Sequence, residues 1–269
     1  MIVPFLLAPL FSRLLLRTLT GHSGFNAGVT GGSAADAWVF ARFTAARFPQ
    51  HRRYIWFVDA GIATNGVNPQ LARDPRAHKY LTGGPAYDVG YGGPYISLSA
   101  TRTSLRDLRI CLQTNCRDHL PYNPDGSIAH HSDRPDAAAR LRHAVDKMLA
   151  SIKAHPPQPL VTLNPKRFVW FERAIRWMNE RGERPVIVLN PIYPSVLAEL
   201  NKYGYPGRRA TLEKVAELHK RFRFVFVDCQ DIRRWGGTTS DWTNATHVNR
   251  ANMRRMLRYI VAHSEGGLR

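Results

Sequence analysis

Three short apolar runs constrain what this chain can fold into. Residues 53–59 (RYIWFVD), 184–190 (RPVIVLN) and 223–229, around Asp228, are apolar at nearly every central position. A strand with one face in water alternates apolar and polar residues. A short unbroken run is a strand buried on both faces, as in a parallel sheet. A fourth run, FNAGVT at 25–30, leads into Gly31, Gly32 and Ser33. Between and after the runs, the sequence predicts helices at 34–48, 136–154, 166–181, 208–222 and 249–263. The last carries Met253, Met256, Leu257, Ile260 and Val261 at i, i+3, i+4, i+7 and i+8. Buried strands alternating with helices predict an α/β sandwich with a mainly parallel sheet.

Residues 60–95 and 117–135 are rich in Gly, Pro, Asn and Asp and flank a helix expected at about 97–114. They form a long loop-rich insertion between the second and third strands, of the kind that serves as a lid or binding loop. With 269 residues, 44% of them hydrophobic, the chain can bury a sizeable core, which excludes wholesale disorder. The organisation expected is an apolar lead-in at 1–19, one domain at 20–263 and a tail at 264–269.

The lead-in is interrupted by Pro4, Pro9, Ser12, Arg13 and Arg17. It falls short of the roughly 20 apolar residues a spanning helix needs. It also lacks a basic stretch ahead of the apolar one, so it does not read as a signal peptide. It reads as a poorly ordered lead-in or a packed amphipathic helix, a weak membrane-surface contact stays open, and a cytoplasmic location is the expectation. Cys111, Cys116 and Cys229 are an odd number without a CxxC. That gives no disulfide framework and no zinc ribbon, though a Cys111–Cys116 bridge stays open.

The formal charge of +18 comes mostly from arginine. It admits nucleic acid, anionic surfaces or acidic substrates as partners. No block of five consecutive basic residues and no nucleic-acid motif is present, so nucleic-acid binding ranks last. Arg250, Arg254, Arg255 and Arg258 stripe the last helix and read first as its solvated face. His130, His131, Asp133 and Asp136 cluster without the helical spacing of a zinc site, so no metal is expected.

Two segments can carry chemistry. In SDWTNATHVNRAN, a polar loop delivers His247 just ahead of the last helix, with Asp241 six residues before it and Asn244 three before it. A loop histidine after the last strand can act as a general base if an acceptor fixes its far nitrogen. The competing reading is a helix cap by His247 or Asn249. In GFNAGVTGGSAADA, strand, Gly31, Gly32, Ser33 and helix suit an anion site built from backbone N–H groups. Ser33 with Asp36 also matches a capping box, which makes Ser33 an N-cap before a nucleophile.

The two segments, with the strand and loop VIVLNPIYP between them, resemble the SGNH (GDSL-type) hydrolase superfamily. FNAGVTGG resembles its second block and NATHVNRAN its closing D-x-x-H block. The likeness is closest to bacterial SGNH-like proteins and spans residues 20–263. It implies a flavodoxin-like three-layer α/β/α sandwich and acyl transfer from a small ester or an acetylated glycan, with no metal or organic cofactor. It places Gly31 in the oxyanion hole, with Gly32 and Asn26 beside it. His247 becomes the general base and Asn244 occupies the position of the orienting Asp, with Asp241 as a substitute. The departures are as informative. The family's G-x-S precedes the second block, and only Ser12-Arg13 answers to it, with Phe11 in place of the glycine. The first block therefore reads as truncated or degenerate. For the third-block Asn, FVDAGIATN offers Asp59 and, further on, Asn65, without a G-x-N-D. Ser12 and Ser33 are the candidate nucleophiles. The alternative is a noncatalytic relative that keeps the fold and binds a glycan or protein partner.

Overall fold

The computed structural model describes residues 2–3, 13–21, 25–26, 34–47, 49, 53–60, 80, 136–157, 165–266 and 268. The strands are β1 (Ile2–Val3), β2 (Phe25–Asn26), β3 (Ile55–Val58), β4 (Val186–Leu189) and β5 (Val225–Asp228). The helices are α1 (Arg13–Thr20), α2 (Ala34–Arg47), α3 (Ala137–Ala154), α4 (Pro165–Glu180), α5 (Pro194–Lys202), α6 (Pro206–His219) and α7 (Arg250–Ala262). A short 3-10 helix, Ile232–Trp235, follows β5.

The three apolar runs become one parallel sheet in the order β3-β4-β5. Ile55 aligns with Val186 and Val186 with Val225. Every residue of β3 and β4 is buried, so neither face of these strands meets water. β5 alternates buried and half-buried positions, as a strand at the side of a sheet does. Parallel neighbours need long crossovers, which α3 with α4 and α5 with α6 provide. The chain is thus α/β with an all-parallel three-stranded sheet. β1 pairs in parallel with β2, Ile2 against Phe25, and also lies close to β3.

One core joins the sheet to the helices. Trp56 of β3 meets Phe171 of α4 at 4.4 Å between ring centroids. The α7 positions Met253, Met256, Leu257, Ile260 and Val261 are all buried, as their spacing predicts. α1 packs beside α7, with Leu19 against the core and Thr20 buried. Leu268 is buried too, and its carbonyl accepts from Arg53 Nη1 at 3.2 Å.

α2 and α4 are joined by alternating indoles and guanidinium groups. Arg173 lies over Trp170 and Trp38, at 5.5 and 4.7 Å. Arg42 lies over Trp38 and Trp177, at 5.2 and 5.4 Å. Arg181 lies over Trp177 at 4.9 Å. Trp38 Nε1 also donates to the carbonyl of Tyr80 at 2.6 Å. The expected helix at 97–114, Cys111, Cys116 and most of the loop-rich insertion lie outside the described residues. No helix among the described residues is long and apolar enough to cross a membrane.

Candidate functional site

Parallel strands gather their carboxyl ends on one side of a sheet, where open α/β folds bind ligands. The His247 loop sits on that side. Tyr193, just beyond β4, donates its N–H to the carbonyl of Ala245 at 3.0 Å. Its ring meets Trp242 edge-on at 5.5 Å. Ile192 N–H reaches the carbonyl of Gln230 at 3.4 Å, which laces the ends of β4 and β5 together.

The loop is closed on itself and clamped to α7. Trp242 and Val248 form an antiparallel bridge. The carbonyl of His247 accepts from Thr243 N at 2.8 Å and Thr243 Oγ1 at 2.9 Å. Fully buried Asn252 uses both ends of its amide. Its Oδ1 accepts from Thr238 N at 2.9 Å and its Nδ2 donates to Thr238 O at 2.8 Å. Asn249 is the N-cap of α7, accepting from Ala251 N at 2.9 Å and Asn252 N at 3.1 Å. The cap role belongs to Asn249, which leaves the His247 ring to other partners.

Asn244 Oδ1 is the hub of the loop. It accepts from the backbone N–H of Thr246 at 2.9 Å and of His247 at 2.9 Å. It also lies 2.8 Å from His247 Nδ1. Backbone N–H groups can only donate, so the amide is oriented with its oxygen inward. An amide oxygen can only accept, so Nδ1 carries the proton. The neutral ring therefore holds its lone pair on Nε2, the tautomer a general base requires.

Asp241 is placed differently. One oxygen accepts from Thr238 Oγ1 at 2.6 Å and Arg255 Nη1 at 2.7 Å, and the other from Asn249 Nδ2 at 3.0 Å. The Thr238 hydroxyl, followed by Arg255, holds its carboxyl below the usual carboxylate range. Asp241 thus fastens the loop to the first turns of α7, and the partner of Nδ1 is Asn244.

Ser12, Gly31, Gly32, Ser33 and Asn65 lie outside the described residues, as do His130, His131 and Asp133. Asn26 contributes its backbone to β2. In sequence, Ser12 directly precedes α1 and Ser33 directly precedes α2. Cys229 is a buried free thiol pushed up by burial, an inert core position. Among the described residues, no group of three His, Cys, Asp or Glu side chains could hold a metal ion.

Two buried polar atoms near the loop have no hydrogen-bond partner among the described residues, Asn190 Oδ1 at the end of β4 and Trp242 Nε1. A second cluster lies at the end of β5, where Tyr205, Arg208, Asp228, Gln230 and Arg234 meet. The Tyr205 hydroxyl is pushed up to about 12, first by burial. Sequence reasoning missed this cluster because three separate segments contribute to it. A polar pair such as Asp228 and Gln230 at the close of a buried strand is the signal that could have found it. No family model, curated protein or solved structure matches this chain.

Proposed function

We propose that this chain is an SGNH-type serine ester hydrolase acting on a small ester or an acylated glycan. The observation that supports it most is the tautomer of His247 imposed by Asn244. In this reading β1 stands between β2 and β3, giving the strand order β2-β1-β3-β4-β5 of a flavodoxin-like three-layer α/β/α sandwich. Its active site occupies the carboxyl ends of the strands, where the His247 loop lies.

The reaction proceeds by acyl transfer. The Oγ of a serine, assigned to Ser12 just ahead of α1, attacks the ester carbonyl carbon while His247 Nε2 takes its proton. The carbonyl oxygen becomes an oxyanion held by backbone N–H groups at Gly31 and Gly32. Collapse expels the alcohol, which takes the proton from His247. Water then attacks the acyl-serine, again losing a proton to Nε2, and collapse releases the acid as the serine Oγ takes that proton back. Asn244 is a positioning residue, fixing the ring by hydrogen bonds.

An amide cannot stabilise the imidazolium by charge, so the same observation favours a second reading. In it the fold is kept for binding a glycan or protein partner without catalysis. Hydrolysis of 4-nitrophenyl acetate separates the two. The hydrolase reading expects low turnover that His247→Ala abolishes and Asn244→Asp raises by about tenfold or more, in the direction set by the loss of about 10⁴ when a triad Asp becomes Asn. No turnover by folded parent and folded Asn244→Asp would leave the binding reading.

A further inference from the structure

At the carboxyl end of β5 one carboxylate serves two guanidinium groups. Asp228 Oδ2 accepts from Arg208 Nη2 at 2.5 Å and lies 3.4 Å from Arg234 Nη1. The neighbouring Asp231 does not correct the balance, because Arg233 already pairs with it, at 2.6 Å between Nη2 and Oδ2. Two guanidinium groups thus share one carboxylate beside a cavity of about 180 Å³ lined by Asn201, Arg208, Asp228, Gln230 and Arg234 among others. A second cavity of about 200 Å³ shares Asn201 and Arg208 and adds Tyr205, so the two form a groove around Arg208.

Two features point to a ligand in this groove. Gln230 is 2% exposed, and its Oε1 has no hydrogen-bond partner. Its Nε2 donates to the Tyr205 hydroxyl at 3.3 Å. Turning the amide over merely exchanges which end is unpaired, and an unpaired buried amide is costly. Tyr205 has φ 35° and ψ 66°, a left-handed backbone that a tyrosine ahead of a proline strongly disfavours. Strain of this kind concentrates at ligand sites. Leu197 and Leu212 each add an apolar side chain to the groove, and between them a carboxylate, amides and cations converge as they do on sugar hydroxyls. Tyr205 is the single aromatic among the described residues lining either cavity, so among these residues successive bases of a nucleic acid find no row of stacking faces.

We infer that this groove is a subsite for an acidic saccharide, its carboxylate meeting Arg208 and Arg234 and its hydroxyls meeting Asn201, Gln230 and Asp228. That the saccharide belongs to the substrate rests on the hydrolase reading; the binding itself does not.

The test is calorimetric titration of the full chain with tetragalacturonate, with maltotetraose as the neutral comparator and oligothymidylate as a polyanion without sugar acids. Tetragalacturonate is expected to bind at least about tenfold tighter than maltotetraose, the worth of one charge-assisted contact. Arg234→Ala is expected to weaken it about tenfold at an unchanged melting temperature, since Arg234 is half exposed. Arg208→Gln should weaken it similarly, and His247→Ala should leave binding intact while removing ester hydrolysis. Equal affinity for the two saccharides, or unchanged binding by folded Arg234→Ala, would overturn the inference. So would tighter binding of oligothymidylate that the same variants weaken.

Discussion

Asn244 shows how much one amide oxygen can decide. Four donors from two consecutive residues converge on it, so its orientation, the loop's turn and the imidazole tautomer are set together. The N-x-x-H spacing was legible in the sequence; the direction of the amide needed the two backbone donors. Asp241 reverses that lesson. Its carboxylate is the better partner chemically, yet Thr238, Arg255 and Asn249 hold it on α7. Those contacts lower its folded-state pKa, chiefly through the Thr238 hydroxyl. The stability they add is fully present above the unfolded value of about 3.9 and is lost as pH falls through the depressed folded value. Asp241→Asn should therefore destabilise the fold at neutral pH, by about 1–2 kcal/mol. It should also shrink the loss of stability on acidification, measured by urea unfolding between pH 6 and pH 3. A parallel drop in parent and variant over that range would contradict this role.

Among the elements, legibility followed the strength of the pattern. β3 and β4 are buried at all positions, and their unbroken apolar runs announce it. α7 buries the face its heptad-like spacing predicts. β1, a two-residue strand, is too short for any period, and its pairing with β2 comes from tertiary contact. α5 was not legible because Pro191 and Pro194 read as loop, whereas Pro194 occupies the first turn of that helix, where a missing N–H costs nothing. The α2–α4 joint holds by packing and cation–π contact together. Trp38, 4% exposed, touches Arg42, Arg173 and Trp177. Trp38→Ala should cost about 3–5 kcal/mol in denaturant unfolding. Trp38→Phe should recover much of that loss, because a ring face remains for both guanidinium groups. Equal losses in the two variants would show that volume alone holds the joint.

At the scale of the whole molecule, the α/β class and the parallel sheet follow from the apolar runs. The sequence order of strand, glycine pair and terminal His loop supports the hydrolase reading. The groove beyond β5 could not be read in advance, since α5, α6, the end of β5 and the 3-10 helix all contribute residues to it. Convergence of that kind is a property of the fold and leaves no local spacing. The hydrolase reading stands or falls on a nucleophile, and Ser12, ahead of α1, is the residue assigned to it. The most direct measurement is labelling with a fluorophosphonate probe, followed by peptide mapping of the modified residue in the parent and in His247→Ala. The expected result is modification of Ser12 that falls sharply in His247→Ala. A label on Ser33, or none on protein shown by circular dichroism to be folded, would contradict it.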